Sequence, residues 1–317
     1  MVSSGLKGVH RSTLSDANTK RDSRIFEDLF CSILGRCRDL TPRHRFRFNN
    51  PLYTIDATTI DLCLSVFTRA RFRKAKGAIK MRCLYDHSGA LPSFLTVTDG
   101  KRHDVTEAKN AGFPLSPDSI VSVDRAYIDY TWPYSLNAKR IWFVTRAKSS
   151  IDYTVTGQHP VSGKGIIRDE RISLAGQHTR DKHPGDPRLI RFYDEKRKKT
   201  LVFLTNNFRL VAAAIARIYK SRWRIELFFK WIKQNLKIKS FLGTSRNAVM
   251  TQIWLAMCYY LLLTYIKYQT RYAYSLLQLG RIIRETLFDR KSLVDILTVT
   301  PEHMAAVRNG VLQGTLF

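Results

Sequence analysis

The sequence predicts an α/β protein, with a mixed sheet at its centre, a β-rich insertion within it, and helical segments at both ends. Three observations predict this. Short β-rich runs alternate with helix-like stretches between residues 52 and 145, the spacing of a mixed sheet with helices packed on it. Residues 147–200 are polar and carry short alternating runs. Helical periodicity then dominates 210–236 and the chain from 245 to about 287.

Taken in order, residues 1–50 form a basic, helical amino-terminal segment suited to DNA binding. It has a helix-like stretch at 22–34 (DSRIFEDLFCSIL), and Ser12 or Thr13 is placed to cap a shorter helix before it. RHRFRF at 43–48 alternates like an edge strand. The first part of the core spans 51–146, with strands expected at 52–60, 79–85, 91–98, 119–123 and 140–145, and helices at 105–111 and 130–138. The insertion spans 147–207, with strands at 166–172, 188–193 and 201–207 and a hairpin tip at EKRKK, 195–199. A core helix follows within 208–245, then a helical carboxy-terminal region, 246–317.

Composition narrows the function classes. With 317 residues and 44% apolar side chains, the chain can bury a sizeable core. Its 53 Lys and Arg against 26 Asp and Glu give a formal charge of +27, a field that attracts polyanions and above all nucleic acid. The cysteines at 31, 37, 63, 83 and 258 are scattered, odd in number and without a CxxC pair. They exclude a disulfide framework or a structural zinc site and suit a reducing cytosol. The first thirty residues lack an apolar core, so no signal peptide is expected. The apolar run at 253–266 (IWLAMCYYLLLTYI) falls short of the roughly 20 residues that span a bilayer. It reads as a buried helix, and no membrane partner is expected.

The strongest chemical signal is YKSRWRIELFFKWIK, 219–233. At about 100° per residue, Tyr219, Arg222, Lys230 and Lys233 all fall within about 40° of Glu226. Ile218, Ile225, Phe229, Ile232 and Leu236 occupy a neighbouring, inward-facing sector. One reading is a surface helix with a Glu–Lys pair worth a few tenths of a kcal/mol, whose acid would usually have companions of mixed sign. The other is a phosphate-binding site beside a metal, which suits one acid among cationic and hydroxyl groups.

Two further carboxylates stand where a site would need them. Asp56 lies inside the strand-like YTIDATTIDL, where an unpartnered carboxylate would be costly. Asp124 closes the run at 120–123, at a strand-to-helix position from which ligand groups often project. Asp61, Asp86, Asp99, Asp104 and Asp129 compete with them, Asp129 as a helix cap. Three carboxylates in one site repel unless a cation intervenes, and oxygen donors select Mg²⁺ or Mn²⁺ over zinc.

At these residues the sequence resembles the DDE transposases of bacterial insertion sequences, specifically the IS-four family. Its signature of Tyr, two residues, Arg, three residues, Glu, six residues and Lys is matched by Tyr219, Arg222, Glu226 and Lys233. TIDATTIDLCLS and VSVDRAYIDY resemble the segments holding the family's first and second Asp, and FLTNN and FFKWIKQNLKIKSFLGTS are also similar. Ala57 and Ala126 depart from the usual Ser or Thr and Gly, but both are small.

The resemblance implies an RNase H-like catalytic core with a β-rich insertion between Asp124 and Glu226, which are 102 residues apart. It implies two Mg²⁺ ions, replaceable by Mn²⁺, held by Asp56, Asp124 and Glu226, with Tyr219, Arg222 and Lys233 gripping phosphates. The activity implied is cutting at terminal inverted repeats and joining of 3′-hydroxyl ends to target DNA, by cut-and-paste through a hairpin intermediate. The protein would act as a homodimer on paired double-stranded ends, associated with the nucleoid in a bacterial cytoplasm. An amino end shorter than that of relatives is also implied. The alternatives are a DNA-binding product of a decayed insertion sequence, truncated or catalytically inactive, and a structure-selective endonuclease that never joins strands.

Beyond the signature, Lys230 shares the basic face of Glu226. TRARFRKAKGAIKMR at 68–82 holds seven Lys or Arg and no acid, so Arg71, Arg73, Lys74 and Lys76 are expected to contact the DNA backbone. Trp223 and Trp231 are expected to pack rather than stack on bases. His87, His103, His159, His178 and His183 show no ligand spacing.

Overall fold

The computed structural model describes residues 10–61, 78–99, 112–127, 129, 131–176, 185–235, 242–243 and 245–286. It divides into two compact units, 42–244 and a second formed by 1–41 with 245–317.

The larger unit is built on one sheet. Its strands are β1 (Leu52–Asp61), β2 (Ala78–Asp86), β3 (Leu91–Asp99), β4 (Ile120–Val123), β5 (Trp142–Arg146), β6 (Tyr153–Gln158), β7 (Ile166–Leu174), β8 (Arg188–Asp194) and β9 (Lys199–Thr205). The order is β3-β2-β1-β4-β5-β9-β8-β7-β6. β1, β4 and β5 run parallel, while β2 and β3 form an antiparallel meander on the β1 edge. That five-stranded arrangement is the RNase H-like core. The strands of the β-rich stretch continue the same sheet, because β9 pairs antiparallel with β5 and β8, β7 and β6 follow in turn.

Alternation along the central strands sets up two apolar layers. Ile55, Val121, Val123 and Phe143 face one way and pack with Trp132 and Leu136 of α3 (Thr131–Ala138). Leu52, Ile120 and Val144 face the other way and pack with Ala212, Ile215, Ala216 and Ile218 of α4 (Ala212–Ser221), which is followed by α5 (Trp223–Asn235). The continuous helix expected over 210–236 is thus broken at Arg222, whose N–H bonds the Tyr219 carbonyl at 3.1 Å in a tightened last turn.

Several local expectations change. Residues 43–48 form bends rather than a strand. Their alternation survives because Phe46 and Phe48 stack on each other, centroids 5.2 Å apart, and pack against the core while Arg45 and Arg47 face solvent. His44 closes the bend by bonding the Asn50 carbonyl at 2.8 Å. β6, which the sequence does not mark out, is a mostly exposed edge strand whose contact with the core is the half-buried Tyr153. The 195–198 turn does connect β8 to β9. The helix expected at 105–111 lies outside the described residues.

The smaller unit comprises α1 (Arg11–Lys20), α2 (Arg24–Leu40), α6 (Arg246–Gln269) and α7 (Leu276–Thr286). Ser12 and Thr13 lie inside α1 rather than capping it; the cap position is His10, whose Nδ1 meets Ser12 Oγ at 2.7 Å. α2 runs six residues beyond the expected 34 because Phe30, Ile33, Leu34 and Cys37 continue one buried face. Phe30 meets Trp254 of α6, ring centroids 5.2 Å apart. The Asn247 side chain accepts from Ser23 N at 3.0 Å and donates to Asn18 O at 2.9 Å, fixing the α1–α2 corner. At 24 residues α6 extends well past its apolar run. It is long and apolar enough to cross a membrane, but 61% of its most apolar stretch is buried, and a buried core helix passes the same length and composition test.

A polar line runs under the upper ends of β1 and β4. Buried His87 meets Thr54 Oγ1 at 2.8 Å through Nε2, and Thr54 Oγ1 lies 3.3 Å from Ser122 Oγ. Burial pushes the imidazole down to about 3, helped by the positive charges of Arg224 and His44, so it is neutral in the fold. A depressed histidine supplies stability that is whole above its unfolded value of 6.5 and is lost as pH falls towards 3, on the order of 3–5 kcal/mol. Urea titrations from pH 7.5 to 4 should therefore show a steep loss that His87→Gln makes shallower. Equal slopes for the two proteins would remove His87 from the account of acid lability.

Candidate active site

The site assembles within the larger unit from two strand ends and one helix. In the parallel β1–β4 ladder, Ile55 pairs with Val123, so the next residues, Asp56 and Asp124, lie side by side. Both share the parity of Leu52 and Ile120, which puts their side chains on the face covered by α4 and α5. α5 is anchored by Ile225, Phe228, Phe229 and Ile232, each no more than 5% exposed. Burying four such side chains is worth about 1.5–3 kcal/mol apiece, ample to hold Glu226 over the strand ends at any cost its charge imposes.

Arg222 ties the parts together. Its Nη1 donates to Asp56 Oδ2 at 2.7 Å and its Nη2 to Glu226 Oε1 at 2.5 Å, and all three side chains are at least two-thirds buried. Burial alone would pull the guanidinium down, but Asp56 and the hydrogen-bonded Glu226 outweigh it and its pKa is raised. Tyr219 packs against Phe203, ring centroids 5.1 Å apart and planes tilted by 42°, with the Arg222 guanidinium 5.8 Å from its ring centroid. Burial, then the charge of Asp124, pushes its phenol up.

Asp56 carries the strain of the arrangement. Burial raises its carboxyl to about 6; Ala57 N–H, which it accepts at 2.8 Å, and Arg222 oppose the rise, while Asp124 and Glu226 add to it. Asp124 accepts from Arg125 N at 2.5 Å. The neighbouring Cys83, opposite Asp56 in the β1–β2 ladder, is fully buried and driven well above the usual thiol range, by burial first and by Asp56 second.

A cleft of about 570 Å³ opens beside this group, lined by Asp56, Ala57, Thr58, Glu226, Phe229, Lys230, Lys233 and Gln234. Lys230 and Lys233 are exposed at its rim. Thr58 and Gln234 were not singled out from the sequence, although Thr58 is two residues from Asp56 on a strand, and so on its face. Of the competing acids, Asp129 caps α3 by accepting from Trp132 N at 2.9 Å, and Asp86 accepts from Ser88 N in the β2–β3 turn. Asp61 and Asp99 end β1 and β3, away from the paired ends of β1 and β4. Asp104 lies outside the described residues, as do Arg71, Arg73, Lys74 and Lys76. Trp223 is 52% exposed: it follows the break at Arg222 and faces solvent, contrary to the packing role expected of it.

The donor set suits a hard divalent ion, being all carboxylate oxygen with a burial penalty that a cation would relieve. As the side chains stand, no three His, Cys, Asp or Glu among the described residues converge closely enough to ligate one, and Arg222 lies between Asp56 and Glu226.

Similar proteins are known. A family model described as a transposase DDE domain matches residues 48–262. The chain is 32% identical over 306 residues to a putative transposase of Sinorhizobium fredii, covering 92% of this chain and 82% of that protein. It is 27% identical over 272 residues to a probable transposase for insertion sequence element IS5377 of Geobacillus stearothermophilus, covering 84% and 70%. Among solved structures, a cryo-EM structure of the piggyBac transposase synaptic complex with hairpin DNA aligns at 10% identity and TM-score 0.44. The match takes in 84% of this chain and spans 59% of that one.

The raised carboxyl of Asp56 has a measurable consequence for stability. A carboxylate lifted from 3.8 to about 6 costs nothing below the lower value, and a growing amount as pH climbs between the two. Above pH 6 the full penalty, on the order of 3 kcal/mol, applies. Asp56→Asn should therefore unfold at higher urea than wild type at pH 8 in EDTA, and at the same urea at pH 3.5. A variant less stable at pH 8 would mean that Arg222 outweighs the burial of this charge.

Proposed function

This chain belongs to the DDE transposases of bacterial insertion sequences, and on that premise we propose that it cuts DNA at the terminal inverted repeats of its element and joins the freed 3′-hydroxyl ends to target DNA. The observation that carries the proposal is the juxtaposition of Asp56 and Asp124 at adjacent parallel strand ends, with Glu226 held against Asp56 through Arg222 and a lysine-rimmed cleft alongside.

Asp56, Asp124 and Glu226 are the residues that would hold two Mg²⁺ ions, with Mn²⁺ as a substitute. Bound there, such ions supply activation of a water or 3′-hydroxyl and neutralise charge on the leaving oxygen. The chain's own part is positioning and charge. Lys230 and Lys233 would track phosphates along the cleft, and Tyr219 and Arg222 would hold the phosphate nearest the cut. The sheet fixes the two aspartates by backbone pairing, so their spacing would change little when DNA enters.

The remaining assignments follow from family and charge. The protein would act in the cytoplasm as a homodimer on paired ends of double-stranded DNA, by cut-and-paste through a hairpin intermediate. The +27 chain would be drawn to the nucleoid. Residues 1–50 would contribute a basic DNA-binding segment, 51–146 and 208–245 the catalytic core, 147–207 its β-rich insertion and 246–317 a helical region.

Two measurements test this reading. With duplex DNA carrying the element's flanking repeats and Mg²⁺, wild type should cleave and Glu226→Gln should lose at least about 100-fold; undiminished cleavage by the variant would defeat the assignment. Separately, the slope of log affinity against log salt should drop by about 2 in Lys230→Ala/Lys233→Ala, one for each phosphate no longer neutralised. An unchanged slope would place the DNA elsewhere.

A further inference from the structure

The Arg222 guanidinium occupies the space between two carboxylates that metal binding would need. Its Nη1 and Nη2 are committed, one to Asp56 and one to Glu226. It is 12% exposed, close to Tyr219, and set at the break between α4 and α5. There its backbone belongs to neither helix interior. Its Nε–H is buried and has no hydrogen-bond partner among the described residues. The side chain therefore neutralises two acids while its buried Nε–H stays unspent.

We propose that Arg222 is an internal counter-ion that competes with divalent cations for Asp56 and Glu226, and that a DNA phosphate draws it away, so that metal loading and DNA binding promote each other. The inference rests on the reading of Asp56 and Glu226 as metal ligands. A guanidinium can donate to these carboxylates or to a phosphate in the same forked geometry, but not fully to both. A metal placed between Asp56 and Glu226 with Arg222 still bridging them would put like charges together in a half-buried site. Moving Arg222 to a phosphate removes that conflict and gives the unspent Nε–H an acceptor. Coupling of this kind is reciprocal: whatever DNA does to metal affinity, metal does to DNA affinity. It would keep free protein poorly loaded, so that nuclease chemistry waits for substrate.

The test reads metal binding directly, without turnover. Mn²⁺ is titrated into the 317-residue chain without DNA, and free Mn²⁺ is followed by electron paramagnetic resonance. Arg222→Gln should bind Mn²⁺ about tenfold more tightly than wild type, and this gain should vanish in Arg222→Gln/Glu226→Gln. Arg222→Lys, whose single ammonium cannot bridge both acids, should fall between the two, and it serves if the glutamine variant does not fold. Metal binding that requires Asp56 and Glu226 but is unchanged or weakened in both Arg222 variants overturns the counter-ion role and leaves the metal-site reading intact. Binding indifferent to Asp56→Asn and Glu226→Gln overturns the metal-site reading itself, and the counter-ion role with it.

Discussion

Three acidic side chains brought to one end of a sheet create the constraint around which the larger unit is organised. Two unit charges roughly 5 Å apart repel by about 3 kcal/mol at an effective dielectric near 20, and burial adds to that penalty. The cost is visible in Asp56, whose carboxyl is pushed up to about 6 by burial and by its acidic neighbours. It is offset by the backbone N–H of Ala57 and by the guanidinium of Arg222, which reaches one acid on β1 and another in the first turn of α5. The balance is incomplete, and a protein optimised for stability alone would not keep it. A site that accepts cations has reason to.

The rest of the unit bears the load. Parallel pairing of β1 with β4 sets the spacing of the two aspartates through the backbone, independently of their charge. α4 and α5 contribute apolar faces that bury Ile215, Ile218, Ile225, Phe229 and Ile232 almost completely, and that burial exceeds the repulsion it has to withstand. Below the site, His87, Thr54 and Ser122 form a neutral polar layer between the carboxylates and the apolar core. Strands β6 to β9 continue the same sheet through β9 and are braced by Arg188. This buried side chain pairs with Asp169 at 2.5 Å and also bonds the carbonyls of Asn207 and Leu210, just ahead of α4. Helix position and sheet extension are thus linked by one arginine side chain.

Much of this was legible in the chain. The strands of the core carry their period in β-branched and apolar residues, and the expected bounds differ from the observed ones by only a residue or two at most ends. The inward stripe of 218–232 was readable because burial on a helix leaves a 3.6-residue period. Glu226 stood out because its helical neighbours are all basic or phenolic. Where the alternation is short and carries only two apolar side chains, as Tyr153 and Val155 in β6, it did not stand out from the polar chain around it. Where packing imitates it, as at Phe46 and Phe48, an alternation read as a strand proved to be two rings seated on the core.

By itself, then, the sequence determined the class of fold and the charge that draws a polyanion, since each is written in local period or residue type; it set Glu226 apart on its helix, and only family resemblance set Asp56 and Asp124 apart from the competing acids. Tertiary structure decided what those residues do to one another. Nothing in the spacing of Asp56 and Arg222, 166 residues apart, shows that they meet, nor that Arg222 rather than Lys230 pairs with Glu226. The helix wheel treated 219–233 as one rod, whereas the chain breaks at Arg222 and turns Trp223 to solvent. Long-range ion pairs depend on how layers stack, and stacking is a property of the whole sheet that no single segment encodes.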